Sequence, residues 1–438
     1  MRKSTIFLLT LFILINFTPI ISVNLLTTGI NREIHHDSLP AGTILWNKTY
    51  PCSGHQEGSG IDECSDGSFI VTGMSDDDIY LMKTDSSGNQ LWNKTYDSGY
   101  DDYGRDVVEC PDGGFAIGGN IGSKVILLKT SASGIQQWNL TFLFQNTLSM
   151  LSRMIECSDG GFALVGYTAG VGGWIVRTTA DGTKLWNVTY EITSTAFYTV
   201  TELSNGYIVA GGHNYENFTI QTGVLLCVDQ NGSEVWSKQL APETGIYAIA
   251  SCKNGDLFVH CTNGSTPMVS QFYRFTNQGS LLWLKEYYFL RGPSIYRFIE
   301  CPDQSIVGVG KYYMEYNNME PRYIIKLLKL DAEGAILSNS SYDIPALHIG
   351  FDRLNFVECS NDDYAIIGTL QNDDIFLLRL DDSSIGPSST LSTISSVSST
   401  ATSSNANEQN IESLYIIGLL GVGVIIIVIV LVVIRHKK

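Results

Sequence analysis

From Asp101 to Gly118 the chain reads DDYGRDVVECPDGGFAIG, followed by Val125-Ile-Leu-Leu-Lys129, the turn glycine Gly134 and Trp138. Two β-prone runs, roughly Arg105–Cys110 and Phe115–Gly119, flank an Asp-Gly-Gly turn. Two more, Val125–Thr130 and Gln136–Phe142, flank Ser-Ala-Ser-Gly. The pattern recurs in both directions. A Gly precedes a Trp by four residues at Gly42/Trp46, Gly88/Trp92, Gly134/Trp138, Gly182/Trp186, Gly232/Trp236 and Gly279/Trp283, with Gly334/Ser338 as a seventh copy. Cys64, Cys110, Cys157, Leu203, Cys252, Cys301 and Cys359 end the strand that follows each of these. Four short antiparallel strands in every unit predict an all-β, seven-bladed β-propeller over residues 42–382.

The phase of the repeat predicts how the ring closes. The first strand, Ile44–Tyr50, is of the Trp type and stands alone, and the last, Ile375–Asp381, is of the third type. Pairing them completes a seventh blade and removes an exposed sheet edge.

Two charged series run through the units. Lys83, Lys129, Arg177, Arg274, Lys329 and Arg379 form the basic one, with Cys227 as the exception. Glu63, Glu109, Glu156, Glu202, Glu300 and Glu358 form the acidic one, with Ser251 as the exception. If the base of one unit meets the acid of the next, both exceptions fall in one pair. Six ionic interblade contacts are therefore expected, with Arg379 and Glu63 joining the ends. This reading is preferred to a cation site lined by the glutamates.

Outside the repeat the chain has membrane and secretory features. Residues 1–23, with Arg2, Lys3 and the apolar run Ile6–Phe17, read as a signal peptide, and 24–41 as a linker. Residues 383–413 are rich in Ser and Thr and read as a stalk. Leu414–Ile434 holds no charged residue and is long enough as a helix to span about 30 Å of hydrocarbon. Arg435, Lys437 and Lys438 in the 435–438 tail place that end in the cytoplasm. A single-pass type I membrane protein with its ectodomain outside the cell is expected. The net charge of −17 argues against a nucleic-acid partner.

An outside location makes Asn-x-Ser/Thr sites candidates for N-glycosylation: Asn47, Asn93, Asn139, Asn187, Asn217, Asn231, Asn263 and Asn339. The repeated Trp residues are expected to pack between blades. The repeated Cys residues read as small buried apolar groups. Cys52, Cys227 and Cys261 fall off the pattern and are the better disulfide candidates. The acidic runs Asp76–Asp78, Asp101-Asp102 and Asp373-Asp374 read as solvated turns rather than calcium loops. No catalytic motif is found, and no cofactor or metal is expected.

Asp102-Tyr-Gly-Arg-Asp-Val-Val, Asp112-Gly-Gly-Phe-Ala-Ile-Gly, Lys129 and Gly134 together resemble the prokaryotic surface-protein β-propeller repeat family. The segments Thr84–Trp92 and Ala180–Trp186 are similar to the tryptophan-docking motif of pyrroloquinoline-quinone-type propellers. That superfamily commonly has eight blades and a vicinal cysteine pair, whereas this chain has seven units and no Cys-Cys. The resemblance implies a propeller acting as a binding, adhesion or envelope-structural module for an extracellular protein or glycan. The alternative is a surface enzyme, either glycan- or peptide-processing or a quinone-type dehydrogenase.

Overall fold

The computed structural model describes residues 33–35, 43–51, 54–190, 194–216, 219–263, 268–289, 294–314, 322–343, 354–370, 372–381, 415–417 and 429–431. Residues 43–381 form a seven-bladed propeller of four-stranded antiparallel blades. Blade two shows the pattern: Asp102–Glu109 innermost, then Phe115–Ile121, Lys124–Thr130 and Gln136–Phe142 at the rim. Blades one, three, four, five and six begin with Gln56–Glu63, Ser149–Glu156, Thr195–Glu202, Thr244–Ser251 and Ser294–Glu300. Blade seven comprises Asn355–Glu358, Tyr364–Thr369 and Ile375–Asp381, with Thr43–Tyr50 antiparallel to the last of these. Each innermost strand lies against its counterpart in the next blade, and Asn355–Glu358 lies against Gln56–Glu63. A short strand, Glu33–His35, adds in parallel to the outer edge of Leu281–Phe289 in blade five. The sequence gives it no strand signal, because only three residues pair.

Burial explains the composition of each strand. The second and third strands are covered on both faces, so Phe115–Gly119 and Val125–Thr130 run almost unbroken in apolar residues. The rim strand is covered on one face only and alternates: Gln136, Gln137, Asn139 and Thr141 are exposed, Trp138 and Leu140 half-buried. Apolar clusters form between blades. One joins Cys64, Ile70 and Leu81 of blade one to Val107, Phe115 and Ile117 of blade two. Each fully buried Phe here contributes about 1.5–3 kcal/mol relative to exposure.

The Gly–Trp pairs are joints between blades. Gly134 has φ +75°, which favours glycine, and a Cβ there would lie 3.0 Å from Trp92 of the preceding blade. Gly88, Gly182, Gly232, Gly279 and Gly334 meet Trp46, Trp138, Trp186, Trp236 and Trp283 in the same way. Tyr50, Tyr96 and Tyr287 donate their hydroxyls to the carbonyls of Gly88, Gly134 and Gly334 at 2.7 Å. Packing of Trp between adjacent blades is therefore as the sequence predicts. Trp46 and Tyr50, from the first strand, make these contacts to blade one.

The expected base-to-acid pairing is corrected by the structure. Lys83, Lys129, Arg177, Arg274, Lys329 and Arg379 pair within their own blades, with Asp66, Asp112, Asp159, Asp256, Asp303 and Asp363 of the first turn. The in-blade aspartate is closer because the third strand runs beside that turn. Only Arg274 also reaches an acid of the next blade, Glu300, at 4.0 Å among the described residues. Blade four lost its base at Cys227 together with its own turn acid, since Asn205 and Tyr207 occupy the two places from which other blades supply one.

The glutamates do span blades, but to backbone. Ser65, Ser158, Lys253 and Ser360 donate N–H groups to Glu109, Glu202, Glu300 and Glu63 at 2.6, 2.6, 2.5 and 2.7 Å. The last of these joins blade seven to blade one. At two junctions the donor position is Pro111 or Pro302, which has no N–H. The facing acids are Glu156 and Glu358. Burial raises the pKa of both above the usual carboxylate value, and Glu156 Oε1 has no hydrogen-bond partner among the described residues.

The disulfide expectation is also corrected for two cysteines. Cys227 and Cys261 are buried free thiols in one apolar cluster, as are the repeat cysteines in theirs, and Cys52 lies outside the described residues. Both are fully buried and pack as small apolar groups. The span 414–434 lies mostly outside the described residues. The two stretches described within it, Tyr415–Ile417 and Ile429–Leu431, pair as an antiparallel ladder rather than a helix. Both are rich in β-branched residues, which favour strands. No helix among the described residues is long and apolar enough to cross a membrane.

Candidate functional site

Six of the seven innermost strands carry a bulge at one place. The ladder shifts between Gly58 and Gly60, Gly104 and Asp106, Leu151 and Arg153, Phe197 and Thr199, Ile246 and Ala248, and Ile295 and Arg297. The skipped residues are Ser59, Arg105, Ser152, Tyr198, Tyr247 and Tyr296. Leu354, four residues before Glu358, takes the same place in blade seven. A bulge frees one residue from the ladder and re-aims its side chain. Here five of the freed residues and Leu354 line a cavity of about 290 Å³, together with Met150, Leu151, Arg153, Tyr167 and Asn355.

Aromatic rings crowd one side of this cavity. Tyr167, Tyr198, Tyr247 and Tyr296 follow one another with ring centres 6.1, 6.4 and 6.4 Å apart. Buried His213 stacks on Tyr198 at 4.7 Å and hydrogen-bonds Tyr215 Oη at 2.7 Å. Tyr215 Oη in turn bonds Tyr198 Oη at 2.8 Å. The hydroxyls are thus fixed by one another while the rings remain half-buried.

Beneath lies a polar network from several blades. Arg153 contacts Asp106 at 3.4 Å. Arg297 donates to Asn355 Oδ1 at 2.8 Å, and Asn355 Nδ2 donates to the carbonyl of Ser59 at 3.0 Å. The two acids here have structural work. Asp106 accepts the Met154 N–H at 2.8 Å and Asp62 accepts the Glu109 N–H at 2.9 Å, each across a blade junction. Burial pushes Asp62 up to about 6 despite that bond. Arg297 is pushed down to about 9 by burial and by Arg153 nearby, and it stays charged at neutral pH.

Arg105 differs from the other two arginines. Its guanidinium lies over the Tyr103 ring at 4.2 Å, and its Nε is buried without a hydrogen-bond partner among the described residues. No carboxylate pairs with it there. Two arginines, Arg105 and Arg153, and no carboxylate are among the described residues that line the cavity, in a chain whose overall charge is strongly negative.

The sequence singled out none of these residues as a site. Their signal is readable afterwards: counting four back from each acidic position gives Ser, Arg, Ser, Tyr, Tyr, Tyr and Leu, a variable column inside a constant repeat. Of the candidate glycosylation sites, Asn47, Asn93, Asn139 and Asn187 are exposed on rim strands, and Asn231 is exposed in the turn before one. Asn339 is half-buried and accepts a bond from Lys326 Nζ at 3.1 Å. Asn217 and the side chain of Asn263 lie outside what is described. The acidic runs are regrouped by folding: Asp78, Asp97 and Asp102 come together with carboxylate oxygens within 4.8 Å. Asp102 is already held by the N–H and hydroxyl of Ser98. Asp373 instead meets His55 at 3.1 Å.

No family model matches the chain, and no curated protein matches it. Solved structures do. The Pan2 WD40 domain of Neurospora crassa is 12% identical, with a TM-score of 0.50 over 77% of this chain and 95% of that one. A protein from Lactobacillus plantarum is 14% identical, with a TM-score of 0.48 over 66% and 85%. A protein of unknown function from Dyadobacter fermentans is 11% identical, with a TM-score of 0.43 over 78% and 100%. At such identities the likeness to the WD40 domain shows a shared β-propeller fold and nothing of ligand or activity.

Proposed function

We propose that this chain is a membrane-anchored cell-surface binding module that takes its ligand at the tyrosine-ringed mouth of the propeller. One observation carries the reading. Residues that repeat from blade to blade build the joints, whereas the column that varies, from Ser59 to Leu354, lines the cavity. Selection for folding alone would favour similar residues at all seven equivalent places. The anchor in this proposal rests on the uncharged run 414–434 and the basic residues after it. Closure of the ring by Thr43–Tyr50 is part of the same proposal and is supported by its ladder to Ile375–Asp381. Glycans on the exposed rim asparagines would leave the mouth open. The surface-enzyme alternative has no observation of its own, since the carboxylates nearest the cavity serve blade junctions.

The test is a ligand screen on full-length protein in detergent micelles, against extracellular proteins and glycans, repeated with Tyr296→Ala. A ligand captured by the native protein and lost with Tyr296→Ala supports the site. A ligand captured equally by both places the binding surface elsewhere. Resistance of the protein to alkaline extraction from membranes checks the anchor.

A further inference from the structure

Resting on that reading of the mouth, we infer that the ligand is an acidic saccharide, with one sugar ring stacked on the tyrosine collar and its carboxylate received by Arg105. The ring-shaped part follows from the collar. Tyr167, Tyr198 and Tyr296 present half-buried rings to a cavity of about 290 Å³, the small end of ligand pockets. Such a space takes a single ring-sized unit. Tyrosines offer an apolar face for the C–H side of a sugar and hydroxyls for its oxygens, that of Tyr198 being held by Tyr215.

The charge follows from Arg105. Arg153 is held by Asp106, and Arg297 by Asn355. Among the described residues Arg105 meets the Tyr103 ring and no carboxylate, and its buried Nε has no acceptor there. A planar carboxylate in the cavity matches the two-pronged outer edge of the Arg105 guanidinium. The bulge in Asp102–Glu109 aims this side chain at the cavity rather than into the ladder. An acidic protein would otherwise repel an anion, so a local cationic mouth also gives discrimination against binding elsewhere on its surface.

The test uses full-length protein in micelles and two probes, oligogalacturonate and its fully methyl-esterified, uncharged form. Binding is read by calorimetry for the native protein, Arg105→Gln, Arg105→Lys and Tyr296→Ala, with thermal unfolding of each as a folding control. The expected result is binding of the acid form at least tenfold tighter than the ester. Arg105→Gln should abolish that preference, Arg105→Lys should restore part of it, and Tyr296→Ala should weaken both probes. Equal binding of acid and ester, sensitive to Tyr296→Ala but not to Arg105→Gln, would overturn the acidic-sugar inference and leave the mouth as the binding site. No binding of either probe by a folded protein would overturn the inference, while a ligand of another class lost with Tyr296→Ala would still uphold the site. Binding of both probes unaffected by Tyr296→Ala would overturn both.

Discussion

Replacing Pro111 by Ser should stabilise the propeller, and only where Glu156 is ionised. At four of the other six junctions the N–H at this place is bonded to a glutamate of the next blade, and three of those donors are serines, Ser65, Ser158 and Ser360. Pro111 withholds that N–H, and Glu156 is left with an oxygen that has no partner among the described residues and a raised pKa caused first by burial. A hydrogen bond from an amide to a carboxylate contributes about 1.5–3 kcal/mol, the lower end applying at an exposed junction. Losing the proline restraint on the unfolded chain removes about 0.4–1 kcal/mol. The net gain is about 1 kcal/mol. At about 2.1 cal/mol/K per residue over the repeat, that is roughly 1.5 °C in Tm. The sign with pH follows from the raised value. The folded native state holds the Glu156 proton more tightly than the unfolded chain, so Glu156 lowers stability as pH rises from the ordinary glutamate value through its folded pKa. The new N–H removes this loss. Calorimetric Tm of Pro111→Ser, compared with native protein from pH 4 to pH 8, should lie slightly below native at the acid end, where only the lost proline restraint acts, and rise above it as Glu156 ionises. A constant difference across the range, or destabilisation at pH 8, would refute the account of the junction. Pro302→Ser, facing Glu358, should behave alike.

Gly88→Ala and Gly67→Ala separate backbone strain from blade docking. Both sites have positive φ, but a Cβ at residue 88 meets Trp46 at 2.7 Å whereas one at residue 67 meets nothing. Each should lose about 1 kcal/mol to strain, and Gly88→Ala about 1–3 kcal/mol more from overpacking, read by urea unfolding. Double-mutant cycles should give a larger coupling for Lys129 with Asp112, 2.8 Å apart, than for Lys129 with Glu156; the reverse order would reinstate interblade pairing. Cys64, Cys110, Cys157, Cys252, Cys301 and Cys359, buried and with thiols pushed up to about 12 by burial, should resist iodoacetamide at pH 8 in the native protein and react on unfolding. Rapid native labelling of any of them would contradict their placement.

The blades were legible because their joints are built from rare residues at fixed offsets. Only glycine suits the left-handed turn at residues 88 or 134, and only a large ring reaches it from the neighbouring blade, so Gly and Trp mark both the turn and its partner. The ion pairs were misassigned for a definite reason. Cys227 and Ser251 are exceptions in adjacent units, which made an offset of one look natural. The relevant acid was a third series, in the first turn, and it moves: Asp66, Asp112, Asp159 and Asp303 stand two residues past the Cys, but Asp256 and Asp363 stand four past. Where it stands four past, an asparagine fills the nearer place and the base is arginine, which bonds both: Arg274 with Asn254, and Arg379 with Asn361. A series that shifts register is hidden from an alignment of single columns.

The site was hidden for a related reason. In a regular strand, alternate residues share a face, so counting back from Glu109 would pair Arg105 with Val107. Arg105 is itself the extra residue of the bulge, between Gly104 and Asp106, and this breaks that phase. Nothing in the composition of Asp-Tyr-Gly-Arg-Asp announces the break, since glycine beside it is equally at home in a turn. What betrays the site is variation against a background that does not vary. Seven copies of one joint act as internal controls for each other: a column fixed in all of them is needed by the ring, and a column free to become Ser, Arg, Tyr or Leu is not. The same logic ranks the polar residues beneath the mouth. Asp106 and Thr199 sit one place after the bulge and both accept an N–H from the next blade, so their oxygen is constrained even though their identity is not. Arg105 has no such duty. Its guanidinium lines the cavity with no carboxylate partner among the described residues, which leaves its charge for a ligand to meet.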